Sequence, residues 1–213
     1  MEESRLAPLM GLDRLRMGTD GNGITSLVTF YGCPLKCRFC LNPQCHREIS
    51  NIKLSRPDEV YNMVAIDELY YLATGGGVTF GGGEPLLYSE FIIKILELGA
   101  KKWNVTIETS LNVPFEQIKV LLPYINEMIV DVKDVNPQIY KLYTQSSNKV
   151  VLENLKRLAN CGYADKIVVR IPLINGYNKQ DDVQNSKRIL EYMGYSTFDF
   201  FEYKTDNRYE RKR

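Results

Sequence analysis

Histidine and tryptophan are nearly absent from this sequence of 213 residues, which contains one of each. With His46 as the single histidine, a histidine-rich zinc site and a Ser-His-Asp triad elsewhere in the chain are both excluded. No stretch of eighteen apolar residues occurs, and the first ten residues lack the basic and apolar regions of a secretory signal. We therefore predict a cytoplasmic protein that does not associate with membranes.

An excess of charge of either sign is also missing. Lys and Arg total 27 against 26 Asp and Glu, and the formal net charge is +1. A nearly neutral chain has no strong field to attract nucleic acid, so we predict no nucleic-acid partner. The length fits one domain over residues 1–213, with an extension (1–18) that packs on it and a basic tail (205–213). We also expect a monomer.

Only five cysteines are present, and an odd number in a reducing compartment favours metal binding or catalysis over disulfides. Three of them, Cys33, Cys37 and Cys40, lie on one short loop after an apolar stretch. A cube of four irons and four sulfides normally takes four thiolates. A set of three therefore leaves one iron open to a substrate or cofactor, as in catalytic metal sites.

Two other interpretations of this loop remain open on spacing alone. Cys45 or His46 could complete a structural zinc site with the same three cysteines. A disulfide pair with one spare thiol is the remaining interpretation. The rest of the chain has to decide among them.

Short apolar strands alternate with helices along the chain. We predict strands over 26–31, 77–80, 105–109, 128–132, 166–171 and 197–203, and helices over 57–74 (with Ser55 as its cap), 88–99, 114–122 and 181–193, with two helical pieces in 136–162. Strict alternation indicates a parallel sheet with helices outside it. The predicted fold is α/β, a partial (βα)6 TIM-like barrel with parallel strands and outer helices; a flat doubly wound sheet is the alternative.

Glycine-rich or charged residues follow five successive predicted strands. They are the cysteine loop and residues 81–85, 108–110, 131–133 and 170–172. Because the carboxyl ends of parallel strands share one edge, we expect these residues to surround one pocket. The glycines at 81–83 leave backbone uncovered by side chains, so that peptide groups can approach a small polar ligand.

Several motifs resemble those of the radical S-adenosylmethionine (SAM) superfamily. Residues 33–40, C-P-L-K-C-R-F-C, match its C-x3-C-x-aromatic-C motif, and residues 78–85, V-T-F-G-G-G-E-P, match its glycine-rich motif. Within that superfamily the chain is most similar to the glycyl-radical-enzyme activases of the pyruvate formate-lyase activating enzyme type. That likeness lies in D-G-x-G-I at 20–24, D-x-K at 131–133 and R-x-P-x-x-x-G-x-N at 170–178.

The resemblance implies the cofactors and the residues that bind them. A 4Fe-4S cluster would be held by Cys33, Cys37 and Cys40, and its open iron would bind SAM. The implied cofactor-binding residues are Gly82, Gly83, Glu84, Glu108, Thr109, Asp131, Lys133 and Arg170, of which Asp131, Lys133 and Arg170 are also the implied catalytic residues. Reductive cleavage of SAM would yield methionine and a 5'-deoxyadenosyl radical that takes hydrogen from a substrate. The structural alternatives are an ordinary Asp131–Lys133 ion pair and a packed strand arginine at 170.

The resemblance also implies partners. The expected hydrogen donor is a glycine of a partner glycyl radical enzyme, and the expected electron donor is a flavodoxin or ferredoxin. Direct action on a small molecule or peptide is the alternative, followed by a zinc-binding module. We expect Cys45 to be a loop residue near the site and Cys161 to be buried packing.

Overall fold

The computed structural model describes residues 6–99 and 102–203, and the chain divides into two compact units. The first unit comprises Met1–Cys33, Asn42–Thr109 and Val113–Ile129. The second comprises Pro34–Leu41, Ser110–Asn112 and Val130–Arg213. The predicted basic tail at 205–213 lies outside the described residues.

Strands and helices alternate as the hydrophobic pattern predicts. The strands are β1 (Ala7–Met17), β2 (Ile24–Phe30), β3 (Leu54–Ser55), β4 (Gly77–Gly82), β5 (Asn104–Thr109), β6 (Glu127–Asp131), β7 (Ile167–Leu173) and β8 (Thr197–Glu202). The helices are α1 (Pro57–Ala65), α2 (Glu68–Thr74), α3 (Ser89–Glu97), α4 (Phe115–Lys119), α5 (Pro137–Thr144), α6 (Lys149–Asn160) and α7 (Gln180–Tyr192). All six predicted strands are therefore confirmed.

The strand order is β3-β1-β2-β4-β5-β6-β7-β8. In the first unit β2 pairs in parallel with β4, and β4 with β5; in the second, β7 pairs in parallel with β8. The first five residues of β4 are buried, as expected for a parallel strand covered on both faces. The predicted α/β class with a mostly parallel sheet is confirmed.

The N-terminal segment is a strand, which the sequence analysis missed. Instead of a leader packed on the domain, β1 forms eleven residues of sheet, antiparallel to β2 and to the two-residue β3. Charged side chains at Asp13, Arg14 and Arg16 hide the alternation that marks a strand, and only Ala7 and Pro8 of β1 are buried. Ser55, predicted as a helix cap, lies in β3, and the cap position of α1 is occupied by Arg56.

The predicted single helix over 57–74 is two helices, α1 and α2. Between them Asp67 is 1% exposed and accepts hydrogen bonds from the Arg14 guanidinium at 2.7 and 2.6 Å. Val60, Val64, Asp67 and Tyr71 are buried, whereas Ile66 and Leu69 are 65% and 80% exposed. A buried carboxylate paired with a cation thus lies at the break between the two helices.

Each unit has its own apolar core. In the first, Phe30 of β2 stacks with Phe80 of β4 and meets Phe91 of α3 edge-on. In the second, Leu155 and Leu158 of α6 are fully buried. Cys161, just after α6, is exposed, so its prediction as buried packing is wrong; the cysteine sits at the C-cap, beyond the buried face of the helix.

Within residues 6–99 and 102–203, none of the helices combines the length and the hydropathy that crossing a membrane requires.

Replacing Asp67 with Asn tests the ion pair at the break between α1 and α2. We expect a loss of about 1–3 kcal/mol in the free energy of unfolding, because Arg14 loses a charged acceptor and the buried site keeps a poorer one. The hydrogen bond from Arg14 lowers the pKa of Asp67, so its stabilisation is present above the ordinary carboxyl pKa and is lost as pH falls through the lowered value. Urea unfolding between pH 3 and 7 measures both effects.

Asp58→Asn is the matched control, since Asp58 pairs with Arg56 on the surface, where the two side chains are 49% and 61% exposed. Its effect should be clearly smaller. Equal losses of unfolding free energy from the two substitutions, or an unchanged loss of stability at low pH in D67N, would contradict the role assigned to Asp67.

Candidate functional site

The cysteine loop leaves the first unit's sheet directly after β2. Gly32 precedes Cys33, its N–H donates to the Cys45 carbonyl oxygen at 2.8 Å, and its own carbonyl oxygen accepts from the Glu84 N–H at 2.8 Å. The Gly83 N–H donates to the Phe30 carbonyl oxygen at 2.9 Å. Backbone hydrogen bonds therefore join the start of the cysteine loop to the glycine run.

Two glycines allow this close approach of backbones. A Cβ at residue 83 would lie 2.1 Å from the Gly32 carbonyl oxygen, a distance that no side chain tolerates. Gly82 has φ +95°, a region that favours glycine, and a Cβ there would lie 2.6 Å from the Thr29 Cβ. The glycine-rich motif is thus required by packing at 82 and 83.

Glu84 is fully buried and has a structural role. Its Oε1 accepts from the Thr109 hydroxyl at 2.6 Å and from the Leu86 N–H at 3.3 Å, where it caps the turn after β4. Thr109 ends β5 and is buried, whereas Glu108 is half-buried beside Gly81, where a Cβ would lie 3.1 Å from Glu108 Oε2. All four positions at issue, Gly81, Glu84, Glu108 and Thr109, belong to the first unit.

Cys45 lies in a short 3-10 helix (Pro43–His46) and is 1% exposed. Its carbonyl oxygen accepts from Gly32, and the Asn42 amide donates to the Gly82 carbonyl oxygen at 3.1 Å. This segment is therefore hydrogen-bonded both to the start of the cysteine loop and to the glycine run, which agrees with the prediction that Cys45 lies near the site. His46 is exposed.

The second unit contains the other two loop cysteines. Lys36 and Arg38, on either side of Cys37, donate their N–H groups to the carbonyl oxygens of Thr144 and Tyr143 at 2.9 and 3.1 Å. The loop is therefore attached to the C-terminal end of α5. Burial raises the pKa of the Cys37 thiol to about 11, against the opposing effect of Lys133. Iron binding has to remove that proton, since the thiolate is the ligand.

Asp131 and Lys133 lie together at the end of β6. Lys133 is 5% exposed, and its Nζ donates to Asp131 Oδ2 at 2.8 Å. Burial acts to lower the pKa of Lys133, but the combined electrostatic effects of its neighbours, Asp131 first among them, outweigh burial, and the pKa lies well above the ordinary value. Lys133 is therefore a fixed cation. Asp131 Oδ1 is buried and has no hydrogen-bond partner among the described residues.

Aromatic residues around this pair escaped the sequence analysis. Tyr203 accepts a hydrogen bond from Lys133 Nζ at 3.1 Å, and its ring packs at 6.1 Å from that of Tyr143. Phe39 of the cysteine loop contacts Tyr143 and Tyr177 at 6.2 and 5.7 Å between ring centroids. Fourteen tyrosines in the composition were the available signal, but composition does not say which of them meet.

The R-x-P-x-x-x-G-x-N motif at 170–178 has a partly structural explanation. Arg170 lies inside β7, not at its end as predicted, and its Nε is 3.3 Å from Asp199 Oδ2 of the adjacent strand β8. Asn178 is buried; its side chain accepts from the Ile174 N–H at 2.6 Å and donates to the Pro172 carbonyl oxygen at 3.0 Å. Asn178 therefore closes the loop that follows β7.

A family model, the radical SAM superfamily, matches residues 27–186. The chain belongs to the radical SAM superfamily. The match contains both the cysteine loop and the glycine run, and it decides against the zinc-binding module. Members of this superfamily use a 4Fe-4S cluster and SAM, so the cofactor prediction is confirmed for the family.

Curated relatives of this radical SAM protein are activating enzymes. The chain is 38% identical to the (2S)-3-sulfopropanediol dehydratase activating enzyme of Klebsiella oxytoca, over 64% of this chain and 42% of that protein. It is 28% identical to the 4-hydroxyphenylacetate decarboxylase activating enzyme of Clostridioides difficile (strain CD196), over 82% of this chain and 74% of that protein. The first match thus spans less than half of the relative's length.

Solved structures share the fold. SuiB of Streptococcus suis, bound to S-adenosylmethionine, superposes with a TM-score of 0.64 at 19% identity, over 86% of this chain and 41% of that chain. The AdoMet-bound enzyme anSMEcpe superposes with a TM-score of 0.54 at 22% identity, over 80% of this chain and 49% of that one. The predicted α/β fold, a partial TIM-like barrel, is confirmed by these likenesses.

The residues of this radical SAM chain fit both cofactors. Cys33, Cys37 and Cys40 are half-buried and are not joined by a disulfide. The first unit presents the half-buried Gly82 and Gly83, which have no side chains, beside the start of the cysteine loop. The second presents a buried cation beside a buried carboxylate oxygen that has no hydrogen-bond partner among the described residues. When bound, the cluster and SAM supply a one-electron cleavage of a carbon-sulfur bond that generates a 5'-deoxyadenosyl radical.

Gly83→Ala should prevent the cysteine loop from seating against the glycine run. The new methyl group would meet backbone, which cannot rotate away, so we expect overpacking that costs at least about 1–3 kcal/mol and a clear drop in iron incorporated per chain. Anaerobic reconstitution followed by iron and sulfide analysis measures the loading, and thermal unfolding measures the stability.

Gly11→Ala is the control in the same unit, because a Cβ there would make only an ordinary 3.6 Å contact with the Thr29 hydroxyl. Iron loading of G83A equal to that of G11A would show that the close approach is not needed.

Proposed function

We propose that this protein is an activating enzyme that installs a glycyl radical on a partner enzyme. One hydrogen atom would pass from a glycine Cα of the partner to the 5'-deoxyadenosyl radical. The products would be 5'-deoxyadenosine, methionine and the glycyl radical, with one electron consumed from an external reductant. The atoms and electrons of this reaction therefore balance.

The observation that carries the proposal is the nature of the relatives. Three kinds of curated relative, named for activating sulfopropanediol dehydratase, 4-hydroxyphenylacetate decarboxylase and isethionate sulfite-lyase, match 64–82% of the chain at 25–38% identity. Their names differ in the enzyme that is activated and agree in the activating role. We therefore infer the role and leave the identity of the partner to experiment.

We propose cofactor roles for the site residues on the same basis. Cys33, Cys37 and Cys40 would bind the cluster irons. Backbone at Gly82 and Gly83 would line the methionyl group of SAM, with Glu84 and Thr109 holding that backbone in place. Further polar contacts to SAM would come from Glu108, Asp131, Lys133 and Arg170. Of these, Asp131 has the carboxylate oxygen without a partner among the described residues, and Lys133 is the fixed cation.

One of the relatives has positions that this chain lacks. The match to the Clostridioides protein runs over 236 positions, whereas 82% of this chain is about 175 residues, so about 60 positions of that relative have no counterpart here. After the loop trio the chain has only Cys45 and Cys161, too few for a second cluster of four thiolates. We therefore propose that a flavodoxin or ferredoxin delivers the electron directly to one cluster. We also propose that the protein acts as a monomer.

Cys37→Ala should abolish the response to SAM. The reduced, reconstituted protein should show a cluster signal in electron paramagnetic resonance that changes when SAM is added, and C37A should show neither signal nor change, because one of three ligands is gone. Cys161→Ala, an exposed cysteine, is the matched control and should behave as the parent protein. A cluster signal indifferent to SAM would contradict the proposed open iron.

The activating role is tested by supplying partners. The reconstituted protein, SAM and dithionite are incubated with each of the three enzymes named for the relatives, and each partner is also tested with its radical-bearing glycine replaced by alanine. A glycyl radical doublet that disappears with the alanine variant is the expected result. Steady formation of 5'-deoxyadenosine with no organic radical on any partner would reject the activating role and leave SAM cleavage, on a small molecule or peptide, as the activity.

A further inference from the structure

Tyr203 meets Lys133 in two ways in the second unit. Its hydroxyl oxygen lies 3.1 Å from Lys133 Nζ, and the ammonium also lies 5.6 Å from the centroid of its ring. Because an ammonium only donates hydrogen bonds, the tyrosine oxygen is the acceptor. One side chain therefore offers both a hydrogen bond and a cation–π contact to the same buried charge.

The position of Tyr203 is set by the sheet. It follows β8 directly, and its backbone N–H donates to the Leu173 carbonyl oxygen at the end of β7 at 3.0 Å. The parallel pairing of β7 with β8 runs through residue pairs that include Leu173 with Glu202. The tyrosine is thus held where it can reach the end of β6.

Lys133 and Asp131 retain capacity for a ligand. Of the three N–H groups of the Lys133 ammonium, two have oxygen partners among the described residues, Asp131 Oδ2 and Tyr203. Asp131 Oδ1 is buried without a hydrogen-bond partner in the same part of the chain. A spare donor and a spare acceptor, side by side and shielded from water, gain free energy when a polar ligand satisfies both.

We infer that Tyr203 is a positioning residue that orients the Lys133 ammonium toward SAM. The tyrosine oxygen and Asp131 Oδ2 together fix the directions of two N–H bonds of the Lys133 ammonium. The direction of the third N–H bond is then fixed as well, because the ammonium can no longer rotate about its Cε–Nζ bond. This inference rests on the proposed role of Lys133 in SAM binding. Tyr203 does not need to touch the cofactor, and its effect on SAM is exerted through Lys133.

Tyr203→Phe separates positioning from packing. The ring contacts with Tyr143 and Phe201, at 6.1 and 5.2 Å, remain in the variant, and only the oxygen that accepts from Lys133 is lost. Tyr195→Phe is the matched control, since its buried hydroxyl donates to the Leu155 carbonyl oxygen at 2.8 Å and not to Asp131 or Lys133. Both variants lose one hydrogen-bonded hydroxyl in the same unit.

The experiment is a double-mutant cycle on SAM affinity in the reconstituted protein. Affinity is measured anaerobically by calorimetry and by titrating the change in the cluster's resonance signal, neither of which requires turnover or a partner enzyme. We expect about tenfold weaker binding in Y203F, a larger loss in Lys133→Met, and no additional loss when Y203F is combined with K133M. Y195F should bind SAM as the parent protein does.

The other outcomes separate the role of Tyr203 from that of Lys133. Unchanged affinity in Y203F, or losses that add in the double variant, would overturn the inference while the role of Lys133 stands. Unchanged affinity in K133M would reject the proposed role of Lys133, and the inference with it. The activating role is tested separately by the partner assay, so the failures are distinguishable.

A second measurement covers the case in which Y203F loads less iron. Amine labelling of the protein before reconstitution, with the extent at Lys133 read by mass spectrometry, reports the environment of the ammonium without any cofactor. We expect Lys133 to be labelled several-fold faster in Y203F than in the parent or Y195F, because one of its two oxygen partners is missing. Equal labelling rates would overturn the inference on this readout as well.

Discussion

Backbone hydrogen bonds between two parallel strands that are adjacent in the sheet, β2 and β4, organise the first half of the site. The register of β2 and β4 pairs Phe30 with Gly82, and beyond it the N–H groups of Gly83 and Glu84 donate to the carbonyl oxygens of Phe30 and Gly32. The cysteine loop begins one residue later. Since these contacts are between main chains, only residues without a Cβ can occupy the closest point of approach, and the glycine run is a consequence of that geometry.

Burial of charge organises the second half. Lys133 is removed from water, a carboxylate lies 2.8 Å away, and the pKa of Lys133 stays well above its ordinary value. A buried cation is costly unless its hydrogen-bonding groups are satisfied, so its neighbours are constrained to be acceptors. Asp131 and Tyr203 meet this demand from the ends of two different strands, and the demand explains why an aromatic residue with an oxygen occupies position 203.

Local patterns predicted the parts of the fold that depend on local information. Alternating apolar strands and amphipathic helices, such as β4 with its run of buried residues and α3 with Phe91 and Ile95 inside, were recognisable because burial repeats at the period of the element. The predictions that were wrong depended on partners distant in sequence. The helix over 57–74 is interrupted at Asp67, whose carboxylate is paired with Arg14, 53 residues earlier, and β1 is a strand that pairs with β2 despite its charges.

The sequence by itself determined the chemistry of this protein: three cysteines at fixed spacing, a glycine run after the next strand, and an acid-and-lysine pair after a later one. These are statements about residue types and short distances along the chain, and both the family match and the cofactors follow from them. Tertiary structure decided which residues meet. The burial of Lys133, the free oxygen of Asp131, the contact with Tyr203 and the structural role of Glu84 all join segments 25 or more residues apart or depend on solvent exclusion, which no local pattern encodes.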